Sequence, residues 1–215
     1  MTDSLIETYI NGLYRPVSEE LGKFRERAET DGVPVILKST EMFLGGLLCM
    51  KKPGHILEIG AAVGYSAAFF AEKEKNCKII SLESDKERCE AAMKNLAGLN
   101  LSERIRVICG DAEEVTRERL VGYKFDFVFI DAAKSRYRRF FDASLTVCEP
   151  GSVIVSDNVL LKGKTASDEY DPSGRHKTSV GKMREYIDYI SNLSYADTSV
   201  LSVGDGLAVT VLDSL

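Results

Sequence analysis

The chain has 215 residues, 44% hydrophobic and 28% charged, with a formal charge of -5. That length buries one full core and gives no sign of a fibrous or disordered class, and the acidic balance argues against coating nucleic acid by bulk charge. Five cysteines at positions 49, 77, 89, 109 and 148 lack C-x-x-C pairing, and no stretch approaches the ~18 apolar residues of a membrane span, so free thiols and a cytoplasmic, non-membrane protein are expected.

Residues 1 to about 50 read as helical, broken at Pro16 and at Gly32-Val33-Pro34. The apolar run 42–48 within them suits either core or dimer surface. From there short β-branched runs alternate with longer amphipathic stretches, the rhythm of parallel strands separated by helices. Strands are expected over 55–59, 78–83, 104–109, 125–131 and 152–156, and helices over 66–75, 85–99, 112–120 and 136–148. The segment 162–177, rich in Gly, Ser, Asp and Lys, reads as a flexible loop. Residues 198–212 read as two strands around Gly204-Asp205-Gly206, a hairpin signal. The expected assembly is α/β, one domain over 1–215: a helical cover (1–50) on a core (51–215) built as a doubly wound, mostly parallel seven-stranded sheet with an antiparallel C-terminal edge hairpin.

In open parallel sheets ligands sit at the carboxyl ends of the strands, and those ends carry coherent chemistry here. After the first strand comes Glu58-Ile59-Gly60-Ala61-Ala62-Val63-Gly64-Tyr65-Ser66, a tight turn with glycines at both ends. Glu83, 23 positions beyond Gly60, ends the second strand, where a carboxylate accepts ribose hydroxyl protons. Ala62 stands where a dinucleotide fingerprint needs its middle glycine for the pyrophosphate, which favours a nucleoside without phosphates. S-adenosylmethionine is one, and its sulfonium and amino groups suit the acid at Glu58. Gly110-Asp111-Ala112 adds a carboxylate able to read an adenine amino group.

The fourth strand ends in Asp131-Ala132-Ala133-Lys134 and the fifth in Ser156-Asp157-Asn158. Two carboxylates and an amide carbonyl, without histidine or thiolate, suit a hard cation such as Mg²⁺. By pattern alone Asp131 could serve the cofactor and Asp157-Asn158 merely make a turn. His176 stands alone in the loop and is not expected to bind metal; His55 is expected to be structural. Lys38 and Ser39 are placed to close over a cofactor.

On these residues the sequence resembles the class I methyltransferases of the catechol and caffeoyl-CoA O-methyltransferase type, from about Val33 to the C-terminus. The resemblance is carried by Leu57-Glu58-Ile59-Gly60, Gly64-Tyr65-Ser66, Asp131 with Lys134 and Tyr137, Asp157-Asn158-Val159 and Gly204-Asp205-Gly206-Leu207, in the family's order. It implies that Asp131, Asp157 and Asn158 hold a divalent metal. It implies that Glu58, Gly60, Ala61, Ser66, Glu83, Asp111, Ala112 and Asp131 line the cofactor S-adenosylmethionine, that Lys134 is a candidate base beside Asp131, and that the protein is a homodimer. Ala133 and Arg136 depart from the plant branch, which has Asp-Ala-Asp-Lys followed by Asn-Tyr, and resemble the bacterial branch with the tRNA 5-hydroxyuridine methyltransferase.

The implied reaction is methyl transfer to a hydroxyl adjacent to a second chelating oxygen. Its expected acceptor is 5-hydroxyuridine in tRNA, the alternative a catechol-like small molecule. Between Ala132 and Glu185 stand ten basic against seven acidic residues, which suits a phosphodiester backbone or equally a set of solvated helix faces. Tyr137 and Tyr170 are candidates for stacking on a base. A reading of another class, a non-catalytic nucleoside-binding regulator, is opposed by the presence of the whole metal set with Lys134.

Overall fold

In the computed structural model, which describes residues 4–213, three helices precede the sheet: α1 (Ser4–Gly12), α2 (Glu19–Thr30) and α3 (Lys38–Lys51). Ser18 caps α2 by accepting from the Leu21 amide, and Lys52 ends α3 in the left-handed region. The expected breaks at Pro16 and 32–34 fall between these helices.

The core then alternates: β1 (His55–Ile59), α4 (Tyr65–Lys73), β2 (Lys78–Glu83), α5 (Lys86–Gly98), β3 (Ile105–Cys109), α6 (Ala112–Glu114), β4 (Phe125–Ile130), α7 (Tyr137–Leu145), β5 (Cys148–Asp157), α8 (Lys177–Ser191), β6 (Ala196–Leu201) and β7 (Leu207–Leu212). The helix expected over 112–120 is α-helical only in α6 and continues as a π-helical turn over Val115–Arg119. The seven strands run in the order β3-β2-β1-β4-β5-β7-β6, parallel through β5, with β7 antiparallel to β5 and β6 antiparallel to β7. This is the expected doubly wound sheet with its antiparallel edge.

Successive residues of the central strands face opposite layers, because side chains alternate along a strand. Ile56, Ile79, Phe127 and Val153 pack against α2 to α5, while Leu57, Ile80, Val128 and Ile154 pack against α7 and α8. The strands are therefore apolar on both faces, which is why they read as continuous runs rather than as an alternation. In the 42–48 stretch, Leu44 and Leu48 are fully buried while Met42 is partly exposed. No helix among the described residues is long and apolar enough to cross a membrane.

Two expectations need correction. Cys89 and Cys109 are joined as a disulfide rather than free, since α5 lies against the end of β3 and brings their Cα atoms to 5.9 Å; Cys49, Cys77 and Cys148 are free. The 162–177 segment is not a loose loop. It folds into successive turns and a 3-10 turn, Asp168–Tyr170, held by Arg184 of α8, which donates to the carbonyls of Lys164 and Thr165 and pairs with Asp168 at 2.7 Å.

Candidate active site

Strand order reverses at β1, between β2 and β4, and an open α/β sheet has its crevice at such a point. The turn after β1 is fastened on both sides: the Gly60 and Ala61 amides donate to the Leu82 carbonyl, and the Asp131 amide donates to the Ile59 carbonyl at 2.9 Å. Gly60 has φ +107, and a Cβ there would overlap the Asp131 carbonyl oxygen, so only glycine lets the turn pass this close to the end of β4.

A cavity of about 1320 Å³ opens above the turn. Gly60, Ala61, Ser66, Glu83, Ala112, Asp131, Lys134, Asp157 and Asn158 line it. Lys38, Glu58 and Asp111 do not. The Lys38 ammonium sits 5.6 Å from the centre of the Tyr14 ring. Asp111 caps α6 and is gripped by Arg136, at 2.5 Å and 3.0 Å, which with the helix-start amides holds its pKa below the usual carboxylate value. Both oxygens are thus engaged, and Asp111 is not presented to a ligand in this arrangement.

Glu58 points into the core rather than the cavity. It is fully buried and accepts hydrogen bonds from Ser66 and Ser81. Burial pushes its pKa up to about 7 against the two serine hydroxyls, which lower it, while the charges of Asp131 and Glu83 raise it further. The folded protein therefore binds a proton at Glu58 that the unfolded chain, near its ordinary 4.5, has already released. Stability should fall as pH rises from about 4.5 to 7, by on the order of 3 kcal/mol, and level off above. Urea unfolding of wild type and Glu58→Gln at pH 5 and pH 8 tests this: the Gln variant should show a shallower loss, and equal slopes would refute the assignment.

Glu83 fits a different use. Its carboxylate accepts from the amides of Ala62 (2.9 Å), Ser84 (2.8 Å) and Asp85 (3.0 Å), which fixes it rigidly at the cavity wall against the glycine turn. A carboxylate held in this way beside a tight turn suits a ribose hydroxyl.

At the other end, Lys134 donates to Asp131 Oδ1 at 2.7 Å, to Asn158 Oδ1 at 2.8 Å and to the Tyr137 hydroxyl at 2.8 Å. Tyr137 is 1% exposed and donates onward to the Asp157 carbonyl, so its ring is a core strut and is not available to stack on a base. Tyr170 instead packs its ring against Gly163, at the edge of the cavity. Asp157 is 1% exposed, and its Oδ1 accepts from the amide and side-chain nitrogen of Asn158. Its Oδ2 is buried without a hydrogen-bond partner. Burial, then the neighbouring Asp131 charge, raise the Asp157 pKa.

A buried carboxylate oxygen without a donor, beside a second carboxylate, is costly unless a cation meets it. Among the described residues no three His, Cys, Asp or Glu side chains converge as a metal cluster, because the third donor here is an amide. Asp131, Asp157 and Asn158 still form an all-oxygen set in which an ammonium already bridges two members, and this chemistry fits a hard divalent cation.

Asp205 is a lining residue that the strand-end logic passes over. It sits in the β6–β7 turn, which the antiparallel pairing of Asp157 with Leu207 sets beside the end of β5. Its side chain accepts from the Lys162 amide, and burial raises its pKa. The sequence marks Gly204-Asp205-Gly206 as a hairpin; only the pairing brings it to the crevice. His176 precedes α8, is exposed and lies outside the cavity, and His55 begins β1 with its amide held by Asp126.

Residues 15–212 match the O-methyltransferase family. The chain is 30% identical over 168 residues to a catechol O-methyltransferase of Niastella koreensis, covering 76% of each. It is 32% identical over 126 residues to a catechol O-methyltransferase of Mycobacterium tuberculosis, covering 57% of each. A solved structure from Staphylococcus aureus, provisionally named a caffeoyl-CoA O-methyltransferase, is similar with TM-score 0.90 at 28% identity, over 97% of this chain and 99% of that one. An enzyme family displaces the non-catalytic reading, and the sheet is the Rossmann-like methyltransferase fold. This chain belongs to the O-methyltransferase family, the class I S-adenosylmethionine-dependent enzymes of the catechol and caffeoyl-CoA type.

Proposed function

We propose that the protein binds S-adenosylmethionine and Mg²⁺ or another divalent cation, and methylates a hydroxyl that has a second oxygen beside it. The observation that carries this is the partnerless, buried Asp157 Oδ2 next to Asp131 and Asn158. When bound, the cofactor supplies an electrophilic methyl group, and the cation acidifies the acceptor hydroxyl and aligns its neighbouring oxygen.

The chain's own residues do the rest. Glu83 would receive the ribose, and the Gly60-Ala61 turn and Ala112 would line the nucleoside. Asp131, Asp157 and Asn158 hold the cation. Lys134, fixed by Tyr137, would accept the acceptor's proton at Nζ in its neutral amine form, after its ammonium has released one proton to solvent. Glu58 and Ser66 act together from beneath, keeping the turn in place.

An ortho-dihydroxy aromatic of the catechol type suits the cavity best, because Val35, Ile36, Leu37 and Leu160 give it an apolar wall. The names of the relatives agree with it. A specific observation keeps the tRNA 5-hydroxyuridine reading in play: Lys162 lines the cavity mouth, with exposed Arg139, Arg175 and Lys182 in the same stretch of chain. Much of the remaining positive charge is already engaged, since Arg136 holds Asp111, Arg138 lies on the Tyr189 ring and Arg184 holds the 162–177 segment. The exposed Leu5, Ile6, Tyr9 and Leu13 on and just after α1 suit a homodimer contact better than the 42–48 run, whose Leu44 and Leu48 are buried in the core.

Purified protein should convert catechol to its monomethyl ether with S-adenosylmethionine and Mg²⁺, read by mass spectrometry, and a chelator should stop it. Hydroxyuridine-bearing tRNA as the competing acceptor separates the two substrates. Turnover of neither acceptor would count against the proposal.

A further inference from the structure

Arg25 is 4% exposed and Glu41 2%, and they form a buried ion pair at 2.5 Å behind the Ile36 and Tyr65 stretch of the cavity lining. All three guanidinium nitrogens donate. Its Nη2 donates to Glu41 and to the Ile36 carbonyl (2.9 Å), its Nη1 to Glu29 (3.0 Å), and its Nε to the hydroxyls of Tyr65 (3.1 Å) and Tyr14 (3.2 Å). Both tyrosine hydroxyls in turn donate to Glu41, Tyr65 at 2.7 Å and Tyr14 at 2.8 Å. Each tyrosine ring also lies close to the guanidinium carbon, at 4.7 Å and 5.2 Å from the ring centres.

This cluster joins two pieces of the cavity wall that are distant in sequence. Ile36 belongs to the 34–37 segment between α2 and α3, and Tyr65 follows the glycine turn directly; both line the cavity. A buried ion pair is a weak source of stability, often replaceable by apolar side chains without loss, whereas the planar guanidinium fork fixes directions.

We propose that Arg25, Glu41, Tyr65 and Tyr14 are positioning residues that hold the 34–37 segment against the glycine turn and so set the affinity for the methyl donor. This rests on the S-adenosylmethionine reading above. The groups placed to hold the cation and take the acceptor's proton, Asp131, Lys134, Asp157 and Asn158, have no hydrogen bond to the cluster, so its loss acts on binding, of the donor at the turn and of an acceptor lying on the 35–37 wall, and leaves the chemical step alone.

The test measures S-adenosylmethionine binding by titration calorimetry, with steady-state kinetics and thermal unfolding on the same proteins. Arg25→Met/Glu41→Leu removes both charges together and leaves neither stranded. Its unfolding midpoint should move by no more than about 3 °C. Its dissociation constant and KM for S-adenosylmethionine should rise about tenfold with kcat nearly unchanged, less than the ~100-fold of a full ångström misplacement at the reacting atoms. Arg25→Lys, which keeps the charge and loses the fork, should fall between wild type and the double variant. Tyr65→Phe removes one hydroxyl and no charge, and should raise KM by about threefold, roughly the loss of one net hydrogen bond. A folded double variant with unchanged affinity overturns the proposal; if that variant does not fold, unchanged affinity in Tyr65→Phe does so. Wild type that binds no S-adenosylmethionine would overturn the functional reading itself, a result distinct from either.

Discussion

Asp157→Ala should lower kcat/KM by on the order of a thousandfold, the several kcal/mol that a Lewis-acid cation supplies, and chelation of wild type should do the same. Asp157 ends β5 with one oxygen held by Asn158 and the other without a donor, the position the proposed cation would take. A second variant at this position should gain stability. Without a divalent cation, Asp157→Asn should unfold at higher urea than wild type at pH 8, because it removes a buried charge next to Asp131. Titration of Mg²⁺ or Mn²⁺ followed by calorimetry should show binding to wild type and none to Asp157→Ala. Full activity in the presence of chelator would end the cation reading.

Lys134→Ala should reduce kcat by about 100- to 1000-fold, the usual weight of a positioned acid or base, with KM for S-adenosylmethionine nearly unchanged. Its Nζ bridges Asp131, Asn158 and Tyr137, a position defined from three sides. Lys134→Arg discriminates between the two jobs a cation there can do. A guanidinium keeps the charge yet does not give up its proton, so Arg should be nearly as poor as Ala if Lys134 accepts the hydroxyl proton. Activity of Lys134→Arg close to wild type would assign the residue a purely electrostatic task. Because the ammonium competes for Asp131 and Asn158 oxygens, divalent-cation affinity in Lys134→Ala should not fall.

Much of the layout was legible in the residues. β1 and β2 span the expected 55–59 and 78–83, since strands buried on both faces must be continuous apolar runs bounded by polar ends. α8 carries a signal too, with Val180, Met183, Tyr186 and Ile190 buried at helical spacing, although the strand-and-helix rhythm leaves it unassigned. Of the twelve expected site residues, nine line the cavity. Those that do not line it share a reason. Asp111 is taken by Arg136, 25 residues away, Glu58 by serines on α4 and β2, and the Lys38 ammonium by Tyr14.

Residue type and spacing set the order of chemistry along the strand ends: a glycine turn, then Glu83, then Asp131 with Lys134, then Asp157-Asn158. Period and residue type are local properties, and they survive without the fold. Which of these groups remain free to act follows from packing between distant segments. Whether a carboxylate faces a ligand depends on which donors the packing brings to it, and that is how Asp157 keeps a free oxygen while Glu58 and Asp111 do not. The same packing joins Cys89 to Cys109 and draws Arg25, Glu41 and Tyr65 into one buried cluster behind the glycine turn.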